Sequence, residues 1–176
     1  MTRKKVLIPL DGSPLSRSIL PHVCRLLGAG DHQIILLRVA EPLAGITGAP
    51  PRPIALGWTG AMYEHARDIE YARHPIYASQ LEQGQSAEFE HELVPARHQL
   101  EQHGYHVTTI VRFGLPADEI IDIAEHAAVD FVAMATHGES GLRRMVVGSV
   151  AADVLARLHV PILLIRPFPD EAKKRG

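Results

Sequence analysis

The sequence predicts an α/β domain built on an open five-stranded parallel sheet in the order 3-2-1-4-5, with helices on both faces. Three observations predict it. Short apolar runs alternate with amphipathic stretches, the runs are apolar almost throughout rather than at every second residue, and prolines stand where two of the stretches begin. Near-continuous apolar runs are typical of parallel strands covered on both faces. Their alternation with helical patterns predicts right-handed crossovers.

The five predicted strands are short apolar runs, most of them rich in β-branched or long aliphatic residues. They span Lys5 to Leu10, Gln33 to Val39, His106 to Arg112, Asp130 to Thr136 and Val160 to Arg166. Pro161 has the first position of the last strand, where a missing N–H is tolerated.

Three amphipathic stretches are predicted as helices that follow the first, third and fourth strands. They run from Ser13 to Gly28, from Pro116 to Ala128 and from Ser149 to Leu158. A serine is the candidate N-cap of the first and third, and a proline holds the first helical position of the first and opens the second.

The connection between the second and third strands is the irregular part of the chain. It is rich in proline and glycine from Glu41 onward, and Ala61 to Arg73 has a helical pattern that Pro75 interrupts. A further helical pattern spans Ser86 to His103, in which Pro95 predicts a kink or a boundary. Such long connections are usually functional or disordered, so a mobile insertion and a lid or docking role both stay open.

Length and composition limit the class of protein. A chain of 176 residues with 46% hydrophobic and 22% charged residues is typical of one globular domain. We predict a single domain over residues 1–168, with a variable insertion at about 41–78 and a charged tail over 169–176.

Charge and cysteine content exclude several partners. A formal net charge of −2 without a long basic block argues against a nucleic-acid binder. The single cysteine, Cys24, has no partner for an internal disulfide and no zinc-ligand spacing around it, and the histidines lack the spacing of a metal site. The apolar run Val6 to Leu10 is too short for a signal peptide or a membrane span. We therefore expect a cytoplasmic protein with no structural metal and no membrane contact.

The strand order predicts where a ligand binds. Ligands of open parallel sheets lie beyond the carboxyl ends of the strands, where the chain reverses its direction across the sheet. In this order the crevice lies between the first and fourth strands, next to Asp11 and the loop Ala135 to Gly148. Asp11 is a candidate acceptor for a base or sugar, but Asp-Gly-Ser-Pro is also strong turn chemistry.

The loop after the fourth strand has the composition of a phosphate site. Gly138, Gly141 and Gly148 allow backbone N–H groups to approach a ligand closely, and Ser149 begins a helix. The unpaired N–H groups and the dipole of a helix N-terminus favour an anion. The alternative is a glycine-rich turn followed by an ordinary serine cap.

Three stretches of the chain together resemble the universal stress protein (UspA) family, and the resemblance covers most of the chain. Lys5 to Ser13 (KVLIPLDGS) is similar to the family's opening strand and its Val-Asp-Gly-Ser turn. Thr136 to Gly138, nine further residues and then Gly148 to Ala151 are similar to the ATP-binding signature Gly-x2-Gly-x9-Gly-Ser/Thr. Val160 to Pro167 resembles the closing strand.

The resemblance implies a Rossmann-like fold of the adenine nucleotide alpha hydrolase type and a site for ATP, with Mg²⁺ as a candidate counter-ion. The implied nucleotide-binding residues are Pro9, Asp11, Val39, Met134, Ala135, His137, Gly138, Gly148, Ser149 and Val150. Asp11 matches the position that contacts the adenine, Met134 lies under the ribose, and the glycines with Ser149 and Val150 match the phosphate positions.

Two residues of the signature carry open alternatives. The first signature glycine is Ala135 here, and its Cβ is costly if the position needs positive φ or touches the nucleotide. His137 lies where a histidine can act as an acid or a donor, although a spacer role is favoured.

The resemblance also implies a homodimer paired through the last strand, Val160 to Arg166, and an unprotected edge strand invites such pairing. No motif of a fast enzyme occurs, so no catalytic residue is assigned, and slow ATP hydrolysis or autophosphorylation is the most that we expect. The sequence therefore predicts a nucleotide-binding regulator or sensor of the stress response with protein partners of unknown identity. The alternative is an interaction module of the same fold that does not bind nucleotide. A third interpretation is a phosphate-ester hydrolase or nucleotidyl transferase, but the sequence shows no pair of nucleophile and base for such an enzyme.

Overall fold

The computed structural model describes residues 3–40, 75–136 and 147–166. Five strands form one parallel sheet in the order β3-β2-β1-β4-β5. Their bounds are β1 Lys4–Pro9, β2 His32–Ala40, β3 His106–Phe113, β4 Phe131–Ala135 and β5 Ile162–Ile165. The predicted fold class and strand order are confirmed.

Five helices accompany these strands in the described ranges: α1 Pro14–Arg17, α2 Ile19–Leu26, α3 Pro75–Gln102, α4 Pro116–His126 and α5 Ser149–Arg157. The chain divides into two compact units, Met1–Glu41 with Phe89–Gly176, and Pro42–Glu88. The sheet lies in the first unit. Of the second, the structure describes the helical backbone of residues 75–88.

Each face of the sheet has its own apolar core. Leu7, Leu37 and Val132 pack against α4 and α5 on one face. Ile8 and Leu36 pack on the other face against α2 and the last turns of α3. Successive strand residues point to opposite faces, so a run that is apolar throughout supplies both cores.

The helix predicted from Ser13 to Gly28 is wrong as a single element, because the chain breaks between α1 and α2. Pro21 is the physical reason: it has no N–H to donate to the Arg17 carbonyl, and its ring crowds that carbonyl. Ser18 instead turns the chain, with its N–H and its hydroxyl both donating to the Leu15 carbonyl at 3.1 and 2.6 Å.

The helix predicted from Ser86 begins earlier, at Pro75, and it continues through Pro95 to Gln102, so a boundary at Pro95 is wrong. Leu93, Ala96 and Leu100 are at most 1% exposed and hold this part of α3 on the sheet. Pro95 lies on the exposed side, where water can satisfy the carbonyl that loses its bond. The helix predicted over Ala61 to Arg73 lies outside the described residues.

The remaining differences are at the ends of elements. The last strand begins at Ile162 rather than Val160, although the Pro161 carbonyl already accepts a hydrogen bond from the Val132 N–H at 3.0 Å. α4 ends at His126, and Ala128 with φ of 48° turns the chain toward β4. No helix in the described ranges is long and apolar enough to cross a membrane.

Candidate functional site

β1 and β4 separate toward their carboxyl ends. β1 pairs with β2 along its whole length, from Lys4 with His32 to Pro9 with Leu37. Its pairing with β4 consists of Val6 with Phe131 and Leu7 with Val132. The chain reverses its direction across the sheet between these two strands, which is where an open sheet binds ligands.

A cavity of about 290 Å³ occupies this separation. Such a volume lies near the lower end of the range for small-molecule sites. Its described lining residues are Pro9, Leu10, Asp11, Ser16, Leu37, Val39, Pro116, Ile120, Met134, Ala135, Thr136, Gly148, Ser149, Val150 and Ala151.

Eight of the ten residues that the sequence singled out lie on this lining: Pro9, Asp11, Val39, Met134, Ala135, Gly148, Ser149 and Val150. The other two, His137 and Gly138, lie outside the described residues. Sequence reasoning missed Pro116 and Ile120, which reach the cavity from α4. The apolar face of that helix was visible in the sequence, but its packing beside the end of β2 was not.

One wall of the cavity is apolar and buried. Leu37 is fully buried, Ile120 is 2% exposed and Met134 is 5% exposed, and they come from three different elements. Val39 joins them at the end of β2, at 9% exposure. A flat apolar group such as a nucleobase fits a wall of this kind.

Asp11 is both a turn residue and a wall of the cavity. Its Oδ1 accepts a hydrogen bond from the Ser13 N–H at 2.9 Å, which is an Asx-turn. Its own N–H donates to Ser16 Oγ at 3.3 Å, and the Ser16 hydroxyl donates to the Ser13 carbonyl. Gly12, at φ of 87°, allows the chain to turn between them. The two interpretations of Asp11 are therefore compatible, because the turn holds its carboxylate at the cavity.

The N-terminus of α5 forms another part of the lining. The N-cap is Gly148, with φ of −66° and ψ of 155°, and the predicted cap Ser149 is instead the first helical residue. Gly148 has no side chain to cap the helix. The first intrahelical hydrogen bond runs from the Ala152 N–H to the Gly148 carbonyl, at 2.9 Å. Three N–H groups come before it in the chain, those of Ser149, Val150 and Ala151. All three residues line the cavity, so this end suits an anion.

Ala135 has ordinary strand geometry. It is the last residue of β4 and pairs with Ile165. Among the described non-glycine residues the positive φ occurs at Ala128 and not at Ala135. The first signature position therefore does not need glycine for its backbone in this chain. Its methyl group does lie on the cavity lining.

The charged groups of the site are few. Asp11 is the titratable side chain on the described part of the lining, which carries no lysine, arginine or histidine. In the described ranges no three histidine, cysteine or acidic side chains cluster as metal ligands would. The described part of the lining therefore offers a phosphate group backbone N–H groups and hydroxyl groups. Cys24 lies elsewhere, half-buried, and burial raises the pKa of its thiol.

Comparison with known proteins agrees with the resemblance read from the sequence. The chain matches the model of the universal stress protein family over residues 2–166. Two similar relatives are universal stress proteins of Methanocaldococcus jannaschii. MJ0531 is 28% identical over 93% of this chain and 82% of its own length, and MJ0577 is 27% identical over 93% and 94%. The solved structure of MJ0577 aligns over 96% of this chain and 99% of its own, with a TM-score of 0.68 and 24% identity.

Other solved structures of this fold hold nucleotides. An Arabidopsis thaliana universal stress protein has AMP bound (TM-score 0.58, 17% identity, 98% of this chain and 97% of that one). One from Archaeoglobus fulgidus is in complex with dAMP (TM-score 0.55, 15% identity, 93% and 98%). A third is in complex with cAMP (TM-score 0.57, 17% identity, 94% and 98%). At these identities the likeness to this chain is one of fold.

Proposed function

Because the chain belongs to the universal stress protein family, we propose that it binds ATP in the cavity between β1 and β4 and acts as a homodimeric regulator or sensor. The observation that carries this proposal is the placement of two unlike surfaces in one cavity. Buried apolar side chains and Asp11 line the same cavity as the open N-terminus of a helix.

The two surfaces suit the two ends of a nucleotide. The base lies against Val39, where apolar burial favours it, and Asp11 accepts a hydrogen bond from it, while the ribose lies over Met134. The phosphates lie at the N–H groups of Ser149, Val150 and Ala151. Mg²⁺ is held mainly by the phosphate oxygens, as is usual for this ion. AMP, dAMP and cAMP in relatives of this fold support an adenine nucleotide.

The proposed dimer forms through β5, the last strand of the sheet order, at the edge next to β4. One side of an edge strand presents unpaired N–H and C=O groups to another chain. The Pro161 carbonyl accepts a hydrogen bond from Val132 of β4, and the Ile165 carbonyl accepts one from Thr136, which follows β4. Alternation along the strand therefore directs the polar backbone groups of Ile162 and Leu164 outward.

The proposed role is regulatory. In the described lining the Ser16 hydroxyl is bonded to the Ser13 carbonyl, and Asp11 accepts from the Ser13 N–H, so the turn uses both side chains. We expect slow hydrolysis or autophosphorylation at most. We place the protein in the cytoplasm, where the thiol of Cys24 stays reduced.

Native mass spectrometry of the purified protein, with and without Mg-ATP, tests the proposal. The expected result is a dimer that carries one ATP or AMP per subunit. GTP at the same concentration is the control and should bind less. A dimer that stays empty at millimolar ATP would contradict nucleotide binding and favour the interaction module of the same fold. A monomer that binds ATP would contradict the dimer alone.

A further inference from the structure

Arg38 lies next to the cavity without lining it. It precedes Val39 on β2 and points to the opposite face of the sheet. Its Nη1 donates to the Val39 carbonyl at 2.7 Å, and its Nε donates to Glu92 Oε2 of α3 at 2.9 Å. The side chain is 16% exposed. One guanidinium therefore joins the end of β2 to α3.

The guanidinium is also held on its flat face. Its central carbon lies 4.8 Å from the centre of the Phe89 ring, and Phe89 in turn packs edge-on against Phe113 of β3 at 6.1 Å. Stacking on an aromatic ring together with hydrogen bonds in two directions uses the planar fork that distinguishes arginine from lysine. The position of Arg38 is thus determined from three sides.

The turn that carries Asp11 rests on the same pair. A Cβ placed on Gly12 would lie 3.0 Å from Glu92 Oε2 and 3.8 Å from Arg38 Nη2. The Gly12 backbone therefore packs directly on the ion pair. Asp11, in front of it, and Val39, beside Arg38, are the two residues that the proposed function assigns to the base.

We infer that Arg38, with Glu92, is a positioning residue for the base end of the cavity. It fixes the Asp11 turn relative to the Val39 carbonyl, and it ties both to α3. The spacing between Asp11 and Val39 sets which base they can contact together, so Arg38 acts on base selectivity without touching the ligand. This inference rests on the proposed function, since it concerns the same site.

Calorimetric binding of ATP, GTP and adenosine to Arg38→Lys tests the inference. Lysine keeps a charge for Glu92 but cannot donate to the Val39 carbonyl in the same fork. We expect roughly tenfold weaker binding of adenosine and of ATP, the loss that follows when about one hydrogen bond is misplaced. The ratio of ATP to adenosine affinity should stay constant, because the phosphate end is unchanged, and the ratio of ATP to GTP affinity should fall.

Two further variants complete the binding test. Arg97→Lys is the matched control. Arg97 lies on α3, as Glu92 does, and its Nε is 3.7 Å from Glu101 Oε1. Arg97 is not part of the cavity lining. It should leave all three affinities within about twofold. Glu92→Gln keeps a hydrogen-bond acceptor for Arg38, so it should weaken the binding of adenosine less than Arg38→Lys does. If Arg38→Lys binds ATP, GTP and adenosine like the wild type, the inference is wrong.

Amide hydrogen exchange tests the positioning role of Arg38 separately from nucleotide binding. The Ser13 N–H donates to Asp11, and the Gly114 N–H donates to the Ala40 carbonyl at the end of β2, at 3.0 Å. Arg38→Lys should speed exchange at both amides and leave the amide of Ala127, the C-cap of α4, unchanged. Wild-type exchange at Ser13 and Gly114 would overturn the inference, whereas absence of ATP binding alone would overturn the proposed function.

Discussion

The Gly148 N–H donates a hydrogen bond to the Thr136 carbonyl, with 2.7 Å between nitrogen and oxygen. This bond joins the end of β4 to the first turn of α5. The Thr136 N–H in turn donates to the Ile165 carbonyl at 2.8 Å, so the last strand belongs to the same connected unit. The sheet thereby fixes the direction of the helix N-terminus at the cavity.

Gly148→Val should abolish nucleotide binding and leave the fold intact. The φ and ψ of Gly148 lie in a region that any residue adopts, so valine folds there, but it adds a bulky side chain at a residue of the cavity lining that adjoins the N–H groups of α5. We expect ATP affinity to fall by more than about a hundredfold, since overlapping atoms cost several kcal/mol. Calorimetry with ATP measures this.

Gly30→Val is the matched control, because a Cβ on Gly30 meets nothing within 4 Å. It should bind ATP like the wild type. Wild-type affinity in Gly148→Val would show that the nucleotide lies elsewhere, and a lost melting transition would show that the position is structural.

Asp11→Ala and Asp11→Asn separate the two roles of Asp11. Asparagine keeps an oxygen that can accept from the Ser13 N–H, whereas alanine loses that bond at a cost of about 1 kcal/mol in the free energy of unfolding. Both remove the carboxylate, so both should reduce the ratio of ATP to GTP affinity and change tripolyphosphate affinity little. Competition binding with the three ligands checks this; an equal loss for all three would contradict contact with the base.

Much of the site was predictable because it depends on local signals and on a general rule. The strand order follows from the alternation of apolar runs and helices, and the order places Asp11 opposite the helix that begins at Ser149. The family resemblance rested on three stretches in the right order, and the family match confirms it. The break at Ser18 was also accessible, since Pro21 follows Arg17 by four residues.

Other features depend on packing that no local pattern encodes. Arg38 and Glu92 are 54 residues apart, and only the docking of α3 on the sheet brings them together. Ile120 reaches the cavity because α4 lies beside β2, and its sequence periodicity indicates an apolar face but not the neighbour of that face. The N-cap is Gly148 rather than Ser149, and the Gly148 N–H bonds to the carbonyl of Thr136, a residue that precedes it in the chain by 12 positions.

Gly12→Ala should destabilise the fold by more than Gly104→Ala. Both glycines have φ of 87°, where a side chain costs about 1 kcal/mol. A Cβ on Gly12 also meets Glu92 Oε2 at 3.0 Å, whereas one on Gly104 meets the Ala29 Cβ at an ordinary 3.6 Å. Urea unfolding measures both, and Gly28→Ala, which has no positive φ, is the control. Equal losses at positions 12 and 104 would show that Glu92 moves freely away.

Leu164→Pro should convert the proposed dimer to a monomer. Its N–H points away from β4, so proline removes a donor from the outer edge without breaking the β4 ladder. Leu155→Ser, at a leucine 45% exposed on α5, is the control and should stay dimeric. Sedimentation velocity measures both. If Leu164→Pro still forms a dimer with an unchanged dissociation constant, pairing through β5 is excluded.

Tyr105 should make the free energy of unfolding depend on pH in the alkaline range. Its hydroxyl donates to the Leu27 carbonyl at the end of α2, and the ring is 5% exposed. Burial, with a smaller effect from Cys24, raises the pKa of this phenol above its usual value. The unfolded chain therefore loses its proton first, near pH 10, while the folded chain still holds it. Since the folded state then binds more protons, the free energy of unfolding falls as the pH rises from about 10 through the folded pKa.

Urea unfolding from about pH 8 to about pH 11 should show this fall in the wild type and a flatter profile in Tyr105→Phe, which also loses about 1 kcal/mol at neutral pH. Cys24→Ala should keep most of the fall, because burial is the larger cause. Identical slopes in the wild type and Tyr105→Phe would show that the phenol titrates alike in both states.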